Sequence, residues 1–191
     1  MSFMRVGVVS LTIACGGAAV AAAALPLTGR VVRAGELSGM VASGPVRVIT
    51  GAAAWVKSEG GPGRKAEIAR VRKLGFIAGV RENLRAPGNP ARAGLSAVEQ
   101  FSSATSAKAE VVHESTANGP WVSFPVHGIP GARGFEALSS QGNGRNVAFA
   151  DGVYYYIVGA GWGGASNNAV SRSTIAAAAL RLYQRVHGRG E

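Results

Sequence analysis

Hydrophobic and polar residues alternate near the carboxyl end of the chain in a pattern that predicts a β-hairpin. The two predicted strands cover residues 146–150 and 153–158. Between them lies Asp151-Gly152, a dipeptide that favours a two-residue turn. The pattern therefore indicates an antiparallel pair of strands rather than a crossover unit.

This turn also predicts a register, and with it the two faces of the hairpin. Pairing Ala150 with Val153 would set Phe149 opposite Tyr154. The other face would leave Tyr155 exposed, where its ring either contacts a ligand or simply covers the sheet. The face assigned to the core would carry Val147, Phe149, Tyr154, Tyr156 and Val158.

Helical spacing of apolar residues predicts three longer helices. The first, residues 64–74, ends at Gly75, where a left-handed stop is expected. The second begins after Ser102 or Ser103, and the third covers about 168–187. The residues expected to face the core are Ile68, Val71 and Leu74 in the first helix, Ala104, Ala107 and Val111 in the second, and Ile175, Ala178, Ala179, Leu182 and Val186 in the third.

Two further strands are predicted between the first and second helices. Residues 76–84 alternate and lead through a turn-rich stretch, 85–90, to a second strand at 95–101. The residues expected to share one face of the first strand are Phe76, Ala78, Val80 and Leu84.

Because turns join the strands in pairs, the chain is predicted to be α+β, with a mainly antiparallel sheet and helices packed on one face. Its 191 residues suit one folded domain. We expect an export segment at 1–25, an irregular segment with a short strand and a short helix at 26–63, and the α+β domain at 64–188.

The amino-terminal segment has the pattern of an export signal. Arg5 precedes an uncharged stretch, residues 6–29, in which small residues end at Ala24. Three fates fit this pattern: cleavage after Ala24, lipidation at Cys15, or retention of 6–25 as a membrane anchor. Cleavage is favoured. Each fate places the rest of the chain outside the cytoplasm, secreted or attached to the outer face of the cytoplasmic membrane.

Composition narrows the class of protein. Hydrophobic residues make up 47% of the chain and charged residues 16%, values that exclude intrinsic disorder. The single cysteine excludes an intrachain disulfide framework and a thiolate zinc site.

The formal net charge is +10, and much of the excess lies in residues 64–92, with eight Lys or Arg against two Glu. A solvated helix face is the simplest explanation. The functional alternative is an anion surface, whose partner outside the cytoplasm would be an envelope polymer or an anionic lipid rather than nucleic acid. That surface would comprise Arg64, Lys65, Arg70, Arg72 and Lys73.

No catalytic, metal or cofactor motif is evident. Residues 159–164 have the glycine spacing of a dinucleotide-binding loop, but Gln184 stands where an acidic residue is expected about 20 residues further on. We interpret the stretch as a strand-to-helix loop in which Trp162, like Tyr155, is a candidate for contacting a ligand. No serine lies in a nucleophile elbow. Three histidines lack metal-ligand spacing: His113, His127 and His187.

Three stretches of the chain, 74–80, 99–104 and 147–156, resemble uncharacterised small exported proteins and lipoproteins of GC-rich Gram-positive (actinobacterial-type) bacteria. The resemblance extends over residues 74–186. It implies an extracytoplasmic α+β module and transfers no catalytic residues.

Two functional hypotheses follow. The preferred one is a non-enzymatic binding or interaction module of the cell envelope, which contacts the membrane through its amino-terminal segment. The alternative is an envelope hydrolase or transferase whose site is assembled only in the fold. A deep pocket with convergent Glu or His side chains would favour the alternative.

Overall fold

Long antiparallel strands dominate the structure, a computed structural model that describes residues 25–33, 35–59, 64–116, 121–139, 142–163 and 169–187. A short 3-10 helix, Leu27–Arg30, comes first. The strands are β1 (Val41–Ala42), β2 (Arg47–Thr50), β3 (Phe76–Ala86), β4 (Asn89–Phe101), β5 (Val122–Phe124), β6 (Arg133–Ser139), β7 (Gly142–Asp151) and β8 (Tyr154–Trp162). The helices are α1 (Ala52–Glu59), α2 (Arg64–Lys73), α3 (Ala104–Thr116) and α4 (Arg172–Val186).

The strands form one antiparallel sheet in the order β1-β3-β4-β8-β7-β6-β5, and β2 also pairs with β3. The predicted α+β class is confirmed. Tight hairpins join β3 to β4 and β7 to β8, as the turn signals indicated.

Helices lie on both faces of this sheet, whereas the sequence pattern favoured one face. On β8, Tyr156 and Val158 pack in one hydrophobic cluster with α4. Tyr155 packs with α3 on the opposite face, and Ile157 contacts the clusters beneath α1 and α3. The run of apolar residues in β8 explains the difference, because a strand that is apolar on both faces is covered on both.

The β7–β8 turn shows why the predicted register is wrong while the predicted faces are right. Asp151 pairs with Tyr154, so the turn residues are Gly152 and Val153, and Phe149 lies opposite Tyr156. Gly152 has φ +55° and Val153 does not have a positive φ, as in a type II′ turn. The register differs from the prediction by two residues, and a shift of two preserves the side of each side chain.

A β-bulge in β3 corrects another expectation. Phe76 pairs with Phe101 and Ala78 with Gln100, so Ile77 is the extra residue. Phe76 consequently lies on the face of the sheet that is covered by α1, α2 and α3, where it packs with Trp55. Val80 lies on the opposite face, which is covered by α4. The prediction that Phe76 and Val80 share a face is therefore wrong.

The end of α2 and the start of α3 lie where the local sequence signals predict them. Gly75 ends α2 with φ +73°, and the Ser103 Oγ accepts a hydrogen bond from the Ser106 N–H at 3.1 Å to cap α3. Ala104 is exposed rather than in the core because it lies in the first turn of α3, and Ala107 is the first residue of the helix to be buried.

The predicted export segment, with Cys15, lies outside the described residues apart from Leu25. Within the described ranges, no helix is long and apolar enough to cross a membrane.

Candidate functional site

The side chains expected to form an anion surface on α2 do not act together. Arg64, Lys65, Arg72 and Lys73 are exposed, as a solvated helix face would be. Arg70 instead points between α2 and α3.

Arg70 forms a double ion pair with two glutamates. Its Nη1 and Nη2 atoms donate to the two carboxylate oxygens of Glu110 at 2.5 and 2.7 Å. Its Nη2 and Nε atoms donate to the two oxygens of Glu67 at 2.6 and 3.0 Å. Glu110 is only 2% exposed, so this guanidinium neutralises a buried carboxylate and joins α2 to α3.

Arg70 belongs to a larger group of charged residues that lies between the sheet and the helices α1, α2 and α3. We call this group the acidic cluster; it consists of Glu59 in α1, Glu67 in α2, Glu99 in β4, and Glu110 and Glu114 in α3. Arg70 pairs with two of these five carboxyls, Glu67 and Glu110, and the charge of Arg81 in β3 also acts on Glu59. His113 lies at the edge of the cluster, with its Nε2 atom 3.9 Å from Glu67 Oε2.

Glu99 and Tyr155 form the floor of the acidic cluster. They are directly opposite each other in the β4–β8 register. They are 4% and 1% exposed, and neither Glu99 Oε2 nor the Tyr155 hydroxyl has a hydrogen-bond partner. The expectation that Tyr155 is exposed is wrong, because α3 covers the face of the sheet that was expected to be open.

The surroundings of these groups change their acidity. Loss of hydration is the largest cause of the raised pKa values of Glu59 and Glu114, both about 7, and the neighbouring Glu110 adds to each. Glu59 is an exposed residue at the end of α1, and at its carboxyl the charge of Arg81 opposes the rise in pKa. Burial, followed by the charges of Glu110 and Glu59, raises the pKa of Glu99 well above its usual range. Burial and the nearby Glu114 likewise raise the pKa of the Tyr155 hydroxyl. The cluster therefore retains protons at neutral pH.

Acidification from about pH 8 to about pH 6 is expected to raise the melting temperature. Between 4.5, the ordinary pKa of a glutamate, and about 7, Glu59 and Glu114 bind more protons in the folded chain than in the unfolded chain. Their contribution to stability is therefore lost as the pH rises through about 7. Melting curves across this range provide the measurement.

Glu136 has the opposite effect on the pH dependence of stability, because its pKa is lowered rather than raised. Hydrogen bonds from Arg172 and Arg145 lower its pKa to about 2, so its contribution is lost on strong acidification. We therefore expect maximal stability in mild acid. A melting temperature that is equal or higher at about pH 8 than at about pH 6 would contradict the raised pKa values.

No sequence motif predicts the acidic cluster, although one signal of it is present in α3. Ala107, Glu110, Val111 and Glu114 have the spacing of a single helix face, so the core-facing side of α3 carries two carboxyls. Glu99 similarly follows Val98 in a strand buried on both faces.

A second charged feature lies where β1 and β2 meet the β3–β4 hairpin. We call it the strand arginine surface; it consists of Arg47, Arg81, Arg85 and Arg92. A cavity of about 530 Å³ is lined by Arg85 and Arg92, and one of about 280 Å³ by Arg47 and Arg81. The two cavities are neighbours, since Ser43 and Asn83 line both of them.

Pairing in the sheet brings these arginines together. Arg47 lies directly opposite Arg81 in the β2–β3 register. Arg81 donates from Nη1 to the Ser58 carbonyl at 3.2 Å, while its buried Nε lacks a partner. Arg47 and Arg85 are exposed. Like charges placed side by side on neighbouring strands repel each other, and an anion would relieve that repulsion.

The remaining predicted site residue, Trp162, lies opposite Arg92 of the strand arginine surface in the β4–β8 register. Trp162 is 5% exposed, and the Arg145 guanidinium lies 4.9 Å from its ring. It belongs to β8, because residues 159–162 continue the strand instead of forming the expected loop. His127 lines a cavity of about 430 Å³ beside α4, and His187 contacts Asp151 at 2.9 Å. Among the described residues, no group of three or more His, Cys, Asp or Glu could hold a metal ion.

Comparisons with known proteins show a likeness of fold. No family model and no curated protein matches the chain. Among solved structures, the chain is similar to the extracellular domain of PknH from Mycobacterium tuberculosis, with a TM-score of 0.51 and 15% sequence identity. The match covers 86% of this chain and 99% of that chain. The chain thus shares its α+β fold with an extracellular domain from an actinobacterium.

Proposed function

We propose that this protein is a non-enzymatic binding or interaction module of the cell envelope that lies outside the cytoplasm. The strand arginine surface carries the proposal, since it joins two concave regions and presents guanidinium groups from three strands. The export pattern of residues 1–25 and the fold shared with an extracellular domain support the location.

The ligand that this surface fits best is a polymer with repeated phosphate or carboxylate groups. A guanidinium group pairs with an oxyanion through two parallel hydrogen bonds. The adjacent Arg47 and Arg81 would bind one such group, and Arg85 and Arg92, which line the neighbouring cavity, would bind the next. A polymer therefore engages both cavities, whereas a single small anion engages one.

A double variant, Arg47→Gln with Arg85→Gln, is expected to weaken binding of long-chain polyphosphate by about tenfold or more at low salt. Wild-type affinity should itself fall by about tenfold between roughly 50 and 200 mM salt, because binding releases counterions. Titration with the labelled polymer measures both effects. A second titration uses vesicles of phosphatidylglycerol and shows whether the protein binds an anionic lipid surface rather than a soluble polymer.

The matched control is Lys65→Gln with Lys73→Gln, which removes the same charge from the exposed face of α2. We expect this variant to bind within about twofold of wild type, a difference typical of distant surface charges. An equal loss in both double variants would show that only net charge matters. Binding that is independent of salt would exclude the proposed mode.

The mass of the exported protein is expected to correspond to cleavage after Ala24. The preceding small residues fit a signal-peptidase site, so the secreted form should begin at Leu25. Intact-mass spectrometry measures this. A lipid on Cys15 or an uncleaved chain in the membrane would support one of the other two fates, and a full-length chain recovered from the cytoplasm would refute export.

The acidic cluster favours the second candidate function, an envelope hydrolase or transferase. Glu59 and Glu114, with pKa values of about 7, have the acidity that general acid–base catalysis requires. Hydrolysis of isolated cell-wall material by the full chain, lost in Glu114→Gln, would support this function over a binding module.

A further inference from the structure

We propose that the acidic cluster is a binding site for an organic cation that carries a primary amine. The acidic cluster shares no residue with the strand arginine surface, although the charge of Arg81 in that surface acts on Glu59, and the inference goes beyond the proposed function. It rests on the excess of carboxyls over arginines between the sheet and the helices α1, α2 and α3. It also rests on two buried polar groups at the floor of the cluster, Glu99 Oε2 and the Tyr155 hydroxyl.

Arg70, the arginine inside the cluster, is already committed to two of its carboxyls. Arg70 makes four hydrogen bonds of 3.0 Å or less to Glu67 and Glu110, which accounts for two of the five carboxyls. Within the described structure, Glu59, Glu99 and Glu114 have no ion pair. Three carboxyls therefore lack an ion-pair partner of their own, and the charge of Arg81 acts on one of them, Glu59.

Tyr155 is an independent observation, because it is not an acidic residue. Tyr155 lies opposite Glu99 in the β4–β8 register, and its buried hydroxyl has no hydrogen-bond partner. A buried hydroxyl without a partner costs about 1 to 3 kcal/mol and is rare in folded proteins. A donor on a ligand would satisfy both this oxygen and Glu99 Oε2.

A primary ammonium suits these acceptors better than a metal ion does. It has three N–H donors and no acceptor, whereas carboxylates offer only acceptors and the hydroxyl can accept. Glu99 and Tyr155 would take two of the donors, and Glu59 or Glu114 the third. The described residues provide no group of His, Cys, Asp or Glu close enough for a metal.

The burial of the carboxyls changes gradually from the surface to the floor. Glu59 is exposed, Glu114 is partly buried, and Glu99 and Tyr155 are buried. A cation would therefore meet a carboxylate at the surface before it reaches the floor, which offsets the cost of removing it from water.

Protons compete with the cation for the same carboxyls. The groups that set this competition are Glu59 on α1, Glu67 and Arg70 on α2, Arg81 on β3, Glu99 on β4, Glu110, His113 and Glu114 on α3, and Tyr155 on β8. The net charge of the site becomes more negative as the raised pKa values of Glu59 and Glu114 are passed. Binding should therefore strengthen with rising pH and release protons.

Calorimetric titration of the full chain with putrescine, a small diamine, tests the site. At about pH 8 we expect saturable binding that becomes about tenfold weaker at about pH 6. Glu99→Gln keeps the size of the side chain and removes its charge, so it should weaken binding by about tenfold or more. Tyr155→Phe removes only the hydroxyl and should weaken binding by about fivefold.

The matched control is Glu82→Gln, a buried glutamate on the opposite face of the sheet, which should leave putrescine binding unchanged. Tetramethylammonium has the charge but no N–H donor and should not bind. Absence of saturable putrescine binding, equal binding of tetramethylammonium, or full binding by Glu99→Gln would each overturn the site. Calcium binding that Glu99→Gln abolishes would identify a metal site instead. Polyphosphate binding tests a different surface, so the two proposals fail separately.

Discussion

Arg70→Met is expected to lower the free energy of unfolding by about 3 kcal/mol at about pH 8. Removing the guanidinium leaves Glu110, which is 2% exposed, without a counter-charge among the other carboxyls of the acidic cluster. This loss is at the low end of the range expected when one partner of a buried ion pair is removed, because the Arg70 side chain is 23% exposed. Chemical denaturation measures the loss.

The pH dependence of this loss identifies its cause. At about pH 5 the neighbouring Glu114, whose pKa is about 7, is protonated and no longer adds to the repulsion on Glu110, so the difference from wild type should shrink. Arg72→Met, at an exposed position of the same helix, should change stability by no more than about 0.5 kcal/mol. A loss that is the same at both pH values would indicate lost packing rather than an uncompensated charge.

Trp55→Ala is expected to cost about 4 kcal/mol, within the range for removing a buried tryptophan. Trp55 is 1% exposed and stacks on Phe76 with ring centroids 5.7 Å apart. It also packs on Gly79 so closely that a Cβ there would lie 2.6 Å from its ring. Its removal leaves a cavity beneath α1. Denaturation curves measure the effect, and Lys57→Ala on the exposed side of α1 is the control.

The same variant connects packing to the proposed cation site. Glu59 follows Trp55 by one helical turn, so loosening α1 displaces the carboxyl nearest the surface. We expect weaker putrescine binding in any Trp55→Ala protein that remains folded. A loss of stability below about 1 kcal/mol would show that α1 is held by other contacts.

Local sequence signals predicted much of the fold because they depend on a few neighbouring residues. Gly75 ends α2 because glycine adopts a positive φ at low cost, and Ser103 caps α3 through its own hydroxyl. Strand alternation assigned the faces of the β7–β8 hairpin correctly even though the turn lies one position later than expected, since faces repeat every two residues.

The candidate sites could be predicted only in part. Four of the five side chains proposed as an anion surface are exposed on α2, but the fifth, Arg70, is paired inside the fold. The strand arginine surface brings together residues as distant in sequence as Arg47 and Arg92. Spacing along the chain does not reveal such proximity, because it arises from strand pairing.

Periodicity and turn chemistry act over short distances, so the residues alone predict the α+β class, the antiparallel hairpins and most helix ends. Long-range packing covers both faces of the sheet and buries Tyr155, and the bulge at Ile77 reverses the side of Phe76. Packing also gathers five carboxyls near Arg70, which pairs with two of them. Those outcomes depend on which elements pack against each other, and side-chain charge alone does not specify a packing partner.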